Sequence, residues 1–267
     1  MEDLLPYALP YTLSTLFYIV CAFGLAECFF YGNFPNHYNS LSKAQKLEWL
    51  SNFGSSINSL LAGLGALIGL FLPLALEQQF SIIRYVVISI TGYSLGDTLF
   101  RIYHRKTLDK PSFQNFLIFH HILAAVAVQV AVMHKEALQA KFLFILMELS
   151  TIFINIRSML LDAKIKRSSL LYQTMSLTMM GMYFVSRIAP IPMEYYLIVY
   201  RCLYIGDICS PETAFFMGLN SIPYNFLTIA NLYWFKKIVF GLIIHLKKMK
   251  DPKGLDSIEN ELFGDAD

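Results

Sequence analysis

Two adjacent histidines, His120 and His121, stand inside an otherwise apolar run, residues 113–133. An imidazole titrates near neutral pH and can serve as nucleophile or general base. On a helix, neighbouring rings point about 100° apart, so one metal ion would not take both, and no metal site is expected. A carboxylate often holds the tautomer of such a ring. Two carboxylates occupy comparable apolar runs: Asp97, in Gly92-Tyr93-Ser94-Leu95-Gly96-Asp97, and Glu148. Glu148, Thr151, Asn155 and Ser158 follow at spacings of three, four and three, which places them along one helix face. Arg187 and Asn231 are further polar residues in apolar segments. A polar group is costly in hydrocarbon, so each is a functional candidate. Each also has a structural alternative. The histidines could join helices by hydrogen bonds, and Asp97 could pair with Arg101 one turn on. The Glu148 face could be a packing seam. Arg187 and Trp234 could be interfacial anchors.

The elements that must position these residues are membrane helices. The 267-residue chain is 56% hydrophobic and 15% charged, against roughly 25% charged in a soluble domain. Its charges cluster between apolar runs that reach the ~20 residues needed to cross a bilayer. The expected fold is an all-α polytopic membrane protein with about seven transmembrane helices. The spans are residues 11–31, 51–76, 82–103, 113–133, 138–161, 170–189 and 214–235. Residues 41–50 read as a short amphipathic stretch between spans. Residues 193–208, with Glu194, Arg201 and Asp207, lie at the interface or extend the sixth helix. Gly63, Gly65 and Gly69 permit close helix approach. Pro190 and Pro192 end or kink the sixth span, and Pro223 kinks the last. The acidic tail beyond Pro252 reads as disordered. The four cysteines form no C-x-x-C pair. The amino terminus lacks a basic n-region, so the first run reads as a retained anchor. Without a Lys/Arg stripe on a soluble surface, nucleic acid is not an expected partner.

Topology follows from the basic residues. With seven spans, fifteen Lys and Arg fall on one side and five on the other, which predicts a lumenal amino terminus and a cytosolic carboxyl terminus. His121 then lies eight residues inside Phe113, Asp97 six before Tyr103, Asn155 six before Leu161 and Asn231 five before Lys236. At 1.5 Å per residue these depths agree to about one turn, roughly 8–12 Å below the cytosolic face. The pattern predicts that Asp97, His121, Asn155 and Asn231 line one polar chamber with an apolar floor.

The sequence resembles the TLC domain. The resemblance rests on His120-His121, on Gly92-Tyr93 ahead of Asp97, and on Glu148-Leu149-Ser150 with Asn155 and Arg157. Asn39-Ser40-Leu41-Ser42 with Leu47-Glu48-Trp49, Val185-Ser186-Arg187-Ile188-Ala189 and Asn231-Leu232-Tyr233-Trp234 add to it. That domain is shared by translocating-chain-associated membrane proteins, ceramide synthases and the neuronal ceroid lipofuscinosis protein 8. It implies a first helix in residues 1–38, a six-helix barrel in 39–246 and a cytosolic polar tail in 247–267. It also implies an internal membrane such as the endoplasmic reticulum, and membrane lipids as partners.

Two functions follow from the resemblance. In one, the barrel binds or handles phospholipid or fatty acyl chains, with Tyr93, Thr151, Asn155 and Asn231 as lipid-binding residues. In the other, the protein is a ceramide-synthase-like acyltransferase that takes acyl-CoA as substrate and needs no cofactor. His121 or His120 would then be the catalytic group, oriented by Asp97 or Glu148. A cargo-receptor or insertion accessory role is the third implied reading. Where ceramide synthases carry a second His-Asp motif, this chain has Glu148-Leu149-Ser150-Thr151, and Asn58 stands where relatives often have His. Both departures favour lipid handling over ceramide synthesis.

Overall fold

The computed structural model describes residues 5–133, 138–200 and 211–250, with no strand among them. Helix α1 (Leu5–Phe17) passes through a wide π-type stretch, Tyr18–Gly24, into α2 (Leu25–Asn33), and a short α3 (Pro35–Ser40) follows. Helix α4 (Lys43–Phe71) starts at a capping box. The Gln45 amide donates to Ser42 Oγ at 3.2 Å, and the Ser42 amide donates to Gln45 Oε1 at 3.0 Å. Two otherwise orphaned amides are thereby satisfied. Helix α5 is Leu76–Tyr103 and α6 is Pro111–Met133, whose first-turn proline needs no amide partner. Helices α7 (Leu138–Leu146) and α8 (Leu149–Asp162) are separated by a break at Met147 and Glu148. Helix α9 (Leu170–Tyr183) ends in a second π-type stretch, Phe184–Ile188, before α10 (Ile191–Tyr200). Helix α11 (Pro211–Lys250) runs for 40 residues, continuing through Pro223.

Five segments are long and apolar enough to cross a membrane: Leu9–Asn33, Lys43–Phe71, Pro111–Gln129, Leu138–Asp162 and Tyr224–Ile244. The other two expected spans are helical as well. Helix α5 has 28 residues, about 42 Å at the usual rise. Its polarity comes partly from Asp97 and Arg101, which are buried within the protein. Helix α9 and its π-type stretch run without a gap from Leu170 to Ile188. The chain is therefore an all-α, multi-pass membrane protein.

Several expected boundaries move. Residues 43–50 are the opening turns of α4, because the Ser42 cap starts the helix there. Helix α5 begins at Leu76, ahead of the expected residue 82. The fifth span is divided at Glu148, and the sixth changes to π-type geometry before Pro190 is reached. Helix α10 takes up the first part of the 193–208 segment. Arg201, Asp207, Cys202, Cys209 and the acidic tail lie outside the described residues.

Packing arranges the spans in a closed order. Helix α4 contacts α5 on one side and α7 with α8 on the other. Helix α5 contacts α6, α6 contacts α11, and α11 contacts α9 and its π-type stretch, which returns to α8. Counting α7 and α8 as one span, this is a ring of six. Helix α1 and the π-type stretch after it pack onto α5 and α4 from outside that ring.

Small residues let the helices approach. A Cβ at Gly63 would overlap Leu149 on α8, one at Gly65 would overlap Val86 on α5, and one at Gly69 would overlap the Phe142 ring on α7. The glycines of α4 thus seat α5, α7 and α8, and Ala62, Ala66, Ile83, Val87 and Phe142 complete the core there. A second cluster joins Phe23, Phe30, Tyr38, Trp49 and Leu108. In it the Trp49 indole donates to Asp162 Oδ2 at 3.1 Å, tying the start of α4 to the end of α8. Large apolar side chains such as Leu61, Leu64, Leu99, Ile122, Val126 and Ile229 are exposed on the outer faces, as lipid contact requires.

Candidate functional site

Asp97 is fully buried at 0% exposure, so its charge must be met inside the protein. The α-helical spacing of four brings Arg101 beneath it, and Arg101 Nε donates to Asp97 Oδ2 at 2.6 Å. Ser51 on α4 donates from Oγ to Asp97 Oδ1 at 2.6 Å and accepts from Arg101 Nη2 at 2.6 Å. Arg101 Nη1 donates to Gln114 Oε1 at 2.5 Å and lies 3.4 Å from Glu48 Oε2. Gln114 Nε2 then donates to Glu48 Oε1 at 2.6 Å. The result is a closed polar network across α4, α5 and α6, with one cation between two carboxylates.

His121 joins the network from α6. Its Nδ1 lies 3.0 Å from Asp97 Oδ2. The two atoms are at contact distance without hydrogen-bond alignment, and Nδ1 has no other partner. The Tyr93 ring meets His121 edge-on with centroids 5.4 Å apart. His120 is half-buried, with its ring stacked over Phe116 at 6.3 Å.

Arg187 builds a second polar group. Its Nε donates to Ser150 Oγ at 2.6 Å, Nη2 to Thr151 Oγ1 at 2.7 Å and Nη1 to Asn231 Oδ1 at 3.0 Å. The Tyr183 hydroxyl donates to the same Asn231 Oδ1 at 3.2 Å, and the guanidinium lies 5.1 Å from the Tyr183 ring centroid. Arg187 therefore cross-links α8, α9 and α11 through side chains. The wide π-type turn shifts the register of side chains that follow it. Trp234 remains partly exposed beside Lys237, whose ammonium lies 5.7 Å from its ring.

The Glu148 face divides between two neighbours. Glu148, at the break before α8, accepts from Ser59 Oγ on α4 at 3.2 Å. Asn155 Nδ2 donates to the Asn52 carbonyl at 3.0 Å and to Ser56 Oγ at 3.1 Å, also on α4. Thr151 instead faces Arg187. Asp97, His121, Asn155 and Asn231 are all buried. Asp97 and His121 sit together, Asn155 bonds to α4 alone among the described residues, and Asn231 belongs to the Arg187 group. Among the described residues no three metal-ligating side chains converge.

Ser51, Gln114 and Tyr183 are site residues that the sequence did not mark out, and Glu48 and Ser150 stood there only as members of the resemblance motifs. One signal was present: Ser51, Ser55, Asn58 and Ser59 form a polar stripe at helical spacing in an apolar helix. All four are buried against neighbouring helices.

The family model TRAM_LAG1_CLN8, described as the TLC domain, matches residues 48–239. The chain belongs to the TLC-domain family. The matched region of this TLC-domain chain contains both polar groups. Among curated proteins it is similar to TLC domain-containing protein 1 of Gallus gallus, with 29% identity over 163 residues. That match covers 59% of this chain and 62% of the chicken protein, so it spans under two thirds of that relative. It is also similar to TLC domain-containing protein 4 A of Dictyostelium discoideum, with 22% identity over 232 residues, covering 81% of this chain and 83% of that one. No solved structure matches the chain.

Proposed function

We propose that this TLC-domain protein acts in lipid homeostasis, binding or handling phospholipid or fatty acyl chains in a cavity within its six-helix ring. The observation that supports this most directly is the placement of polar side chains. All six spans of the ring contribute side chains to helix–helix polar contacts: Ser59, Asp97, Gln114, Thr151, Arg187 and Asn231 among them. The outer faces meanwhile carry large apolar residues. A ring that is apolar outside and polar between its helices suits a lipid whose head enters and whose chains remain against hydrocarbon. In this reading the protein resides in the endoplasmic reticulum or a related internal membrane, amino terminus lumenal and carboxyl terminus cytosolic.

A second reading, acyl transfer from acyl-CoA, is favoured by one specific observation: His121 Nδ1 at 3.0 Å from a buried carboxylate. A carboxylate at that nitrogen would orient the ring and leave Nε2 to take a proton from an attacking amine or hydroxyl. The lipid profile of cells lacking the protein, rescued with wild type or with His121→Ala, tests both readings. Restoration by wild type alone, with loss of one acylated product, favours acyl transfer. Equal restoration by both favours lipid handling. No lipid change in the deficient cells would overturn both.

A further inference from the structure

We propose that Tyr18, on the segment that lies outside the helix ring, is a positioning residue for His121. It fixes the Tyr93 ring, and Tyr93 in turn fixes the plane of the imidazole, a role whose chemical consequence rests on the acyl-transfer reading of that histidine.

Helix α1 and the π-type stretch after it pack on α5 and α4 from outside, and Leu13, Leu16, Phe17 and Val20 are exposed there. Tyr18 breaks that pattern at 1% exposure. Helix α5 admits it at Gly96, where an added Cβ would lie 3.4 Å from the Tyr18 Cβ. From there the side chain reaches the seam between α4 and α5. Its hydroxyl lies 2.8 Å from Ser89 Oγ on α5, and Ser89 Oγ donates to Asn58 Oδ1 on α4 at 3.2 Å. A hydroxyl has one proton to give. Ser89 therefore accepts from Tyr18, and the tip of the tyrosine is moored to two spans of the ring. Ile57 of α4 packs against Tyr18 and Tyr93.

Two ring contacts carry this mooring to the histidine. Tyr18 meets Tyr93 with centroids 5.6 Å apart and planes at 70°, and Tyr93 meets His121 at 5.4 Å and 69°. Both are edge-to-face, the arrangement that the ring quadrupole favours, so each ring orients the next. Tyr18 and Tyr93 are both buried, which leaves neither ring space to swing into. His121 depends on such contacts, because its Nδ1 lies 3.0 Å from Asp97 Oδ2 without an aligned hydrogen bond. A general base must keep its nitrogen within hydrogen-bond reach of the proton it takes. Tyr18 supplies part of that constraint from outside the ring, through Tyr93.

The test uses the full chain in phosphatidylcholine nanodiscs with isotopically labelled histidine, the His121 signals being assigned by their loss in His121→Asn. Ring-nitrogen shifts report the tautomer and surroundings of the imidazole, and the melting midpoint reports packing. Tyr18→Leu, which fills the space without an aromatic ring, should displace or broaden the His121 signals. Tyr18→Phe, which keeps the ring and loses its mooring, should displace them less and in the same direction. Tyr11→Phe is the matched control. It removes another hydroxyl of α1, the one that donates to Gln129 Oε1 at 2.9 Å. It should lower the midpoint and leave the His121 signals in place. In deficient cells, rescue per folded protein should fall by roughly tenfold or more with Tyr18→Leu, since misplacing a reacting group slows its step. Tyr18→Phe should restore most of it. If Tyr18→Leu does not fold, the smaller displacement in Tyr18→Phe must still exceed that in Tyr11→Phe. Unmoved His121 signals in folded Tyr18 variants, or an equal displacement in Tyr11→Phe, would overturn the positioning role and leave the acyl-transfer reading standing. Displaced signals with full rescue would uphold the positioning and overturn the acyl-transfer reading instead.

Discussion

At the scale of single residues, the Asp97–Arg101 pair and His121 have separable roles. Asp97 holds Arg101 and Ser51 at 2.6 Å each, so its removal strands a buried cation. Asp97→Ala should therefore lower stability by about 3–5 kcal/mol, seen as a large fall in the detergent melting midpoint. The double change Asp97→Ala with Arg101→Leu should cost less than the two single costs added together. His121 is different. Its Nδ1 makes no aligned hydrogen bond, so Asp97 keeps its other partners when the imidazole goes. His121→Ala should shift the midpoint much less than Asp97→Ala and, if the ring acts on substrate, abolish lipid rescue in cells. A rescue that falls only in step with the amount of folded protein would assign His121 to packing. Part of this was legible beforehand, since the i, i+4 spacing marks Asp97 and Arg101 as a pair. Arg187 was not, because a π-type turn leaves no mark in an apolar run, and an arginine just before Pro190 reads as a helix-end anchor.

At the scale of helices, close approach depends on glycine. A Cβ at Gly92 on α5 would meet the Ser14 side chain of α1 and also its backbone carbonyl carbon at 2.9 Å. Side chains can rotate away, but a backbone cannot move without moving its helix. Gly92→Ala should loosen α1 from α5, with cysteine cross-linking between the two helices reporting the change. Gly69→Ala places a methyl against the Phe142 ring, which is wholly buried and has no room to retreat. It should cost roughly 1–3 kcal/mol through overpacking. The glycine pattern in α4 announced such contacts, while the partners at each position came only from the fold. The break between α7 and α8 had no warning either. The run from 138 to 161 holds no glycine or proline to forbid a continuous helix, and the interruption falls at Glu148, where the carboxylate turns to Ser59.

At the scale of the whole molecule, hydropathy announced an all-α polytopic membrane protein, and the order in which the helices close came from packing. Hydropathy says how many runs are long enough, but the neighbour of each span depends on which face carries small or polar residues. Helix α5 illustrates the gap: its buried charges make it less apolar than its neighbours, yet it lies between α4, α6 and α1. With seven spans, the fifteen-to-five division of basic residues predicts opposite sides for the two ends. Tags on both termini, read after permeabilising the plasma membrane alone, should therefore show the carboxyl-terminal tag and conceal the amino-terminal one. Both tags on one side would require an even number of crossings.

The chain has two tryptophans, and their surroundings differ. Trp49 is enclosed by Phe30, Tyr38 and the Asp162 carboxylate, whereas Trp234 is 39% exposed on the outer face of α11. The protein therefore carries two optical reporters that answer to different surroundings. Phospholipid brominated along its acyl chains should quench Trp234 emission on contact and leave that of Trp49 largely intact. Trp49→Phe should yield a protein whose fluorescence registers the bilayer alone. Trp234→Phe should yield one whose emission follows the seam between the start of α4 and the end of α8, so that its opening during a transport or reaction cycle would be visible without an attached label.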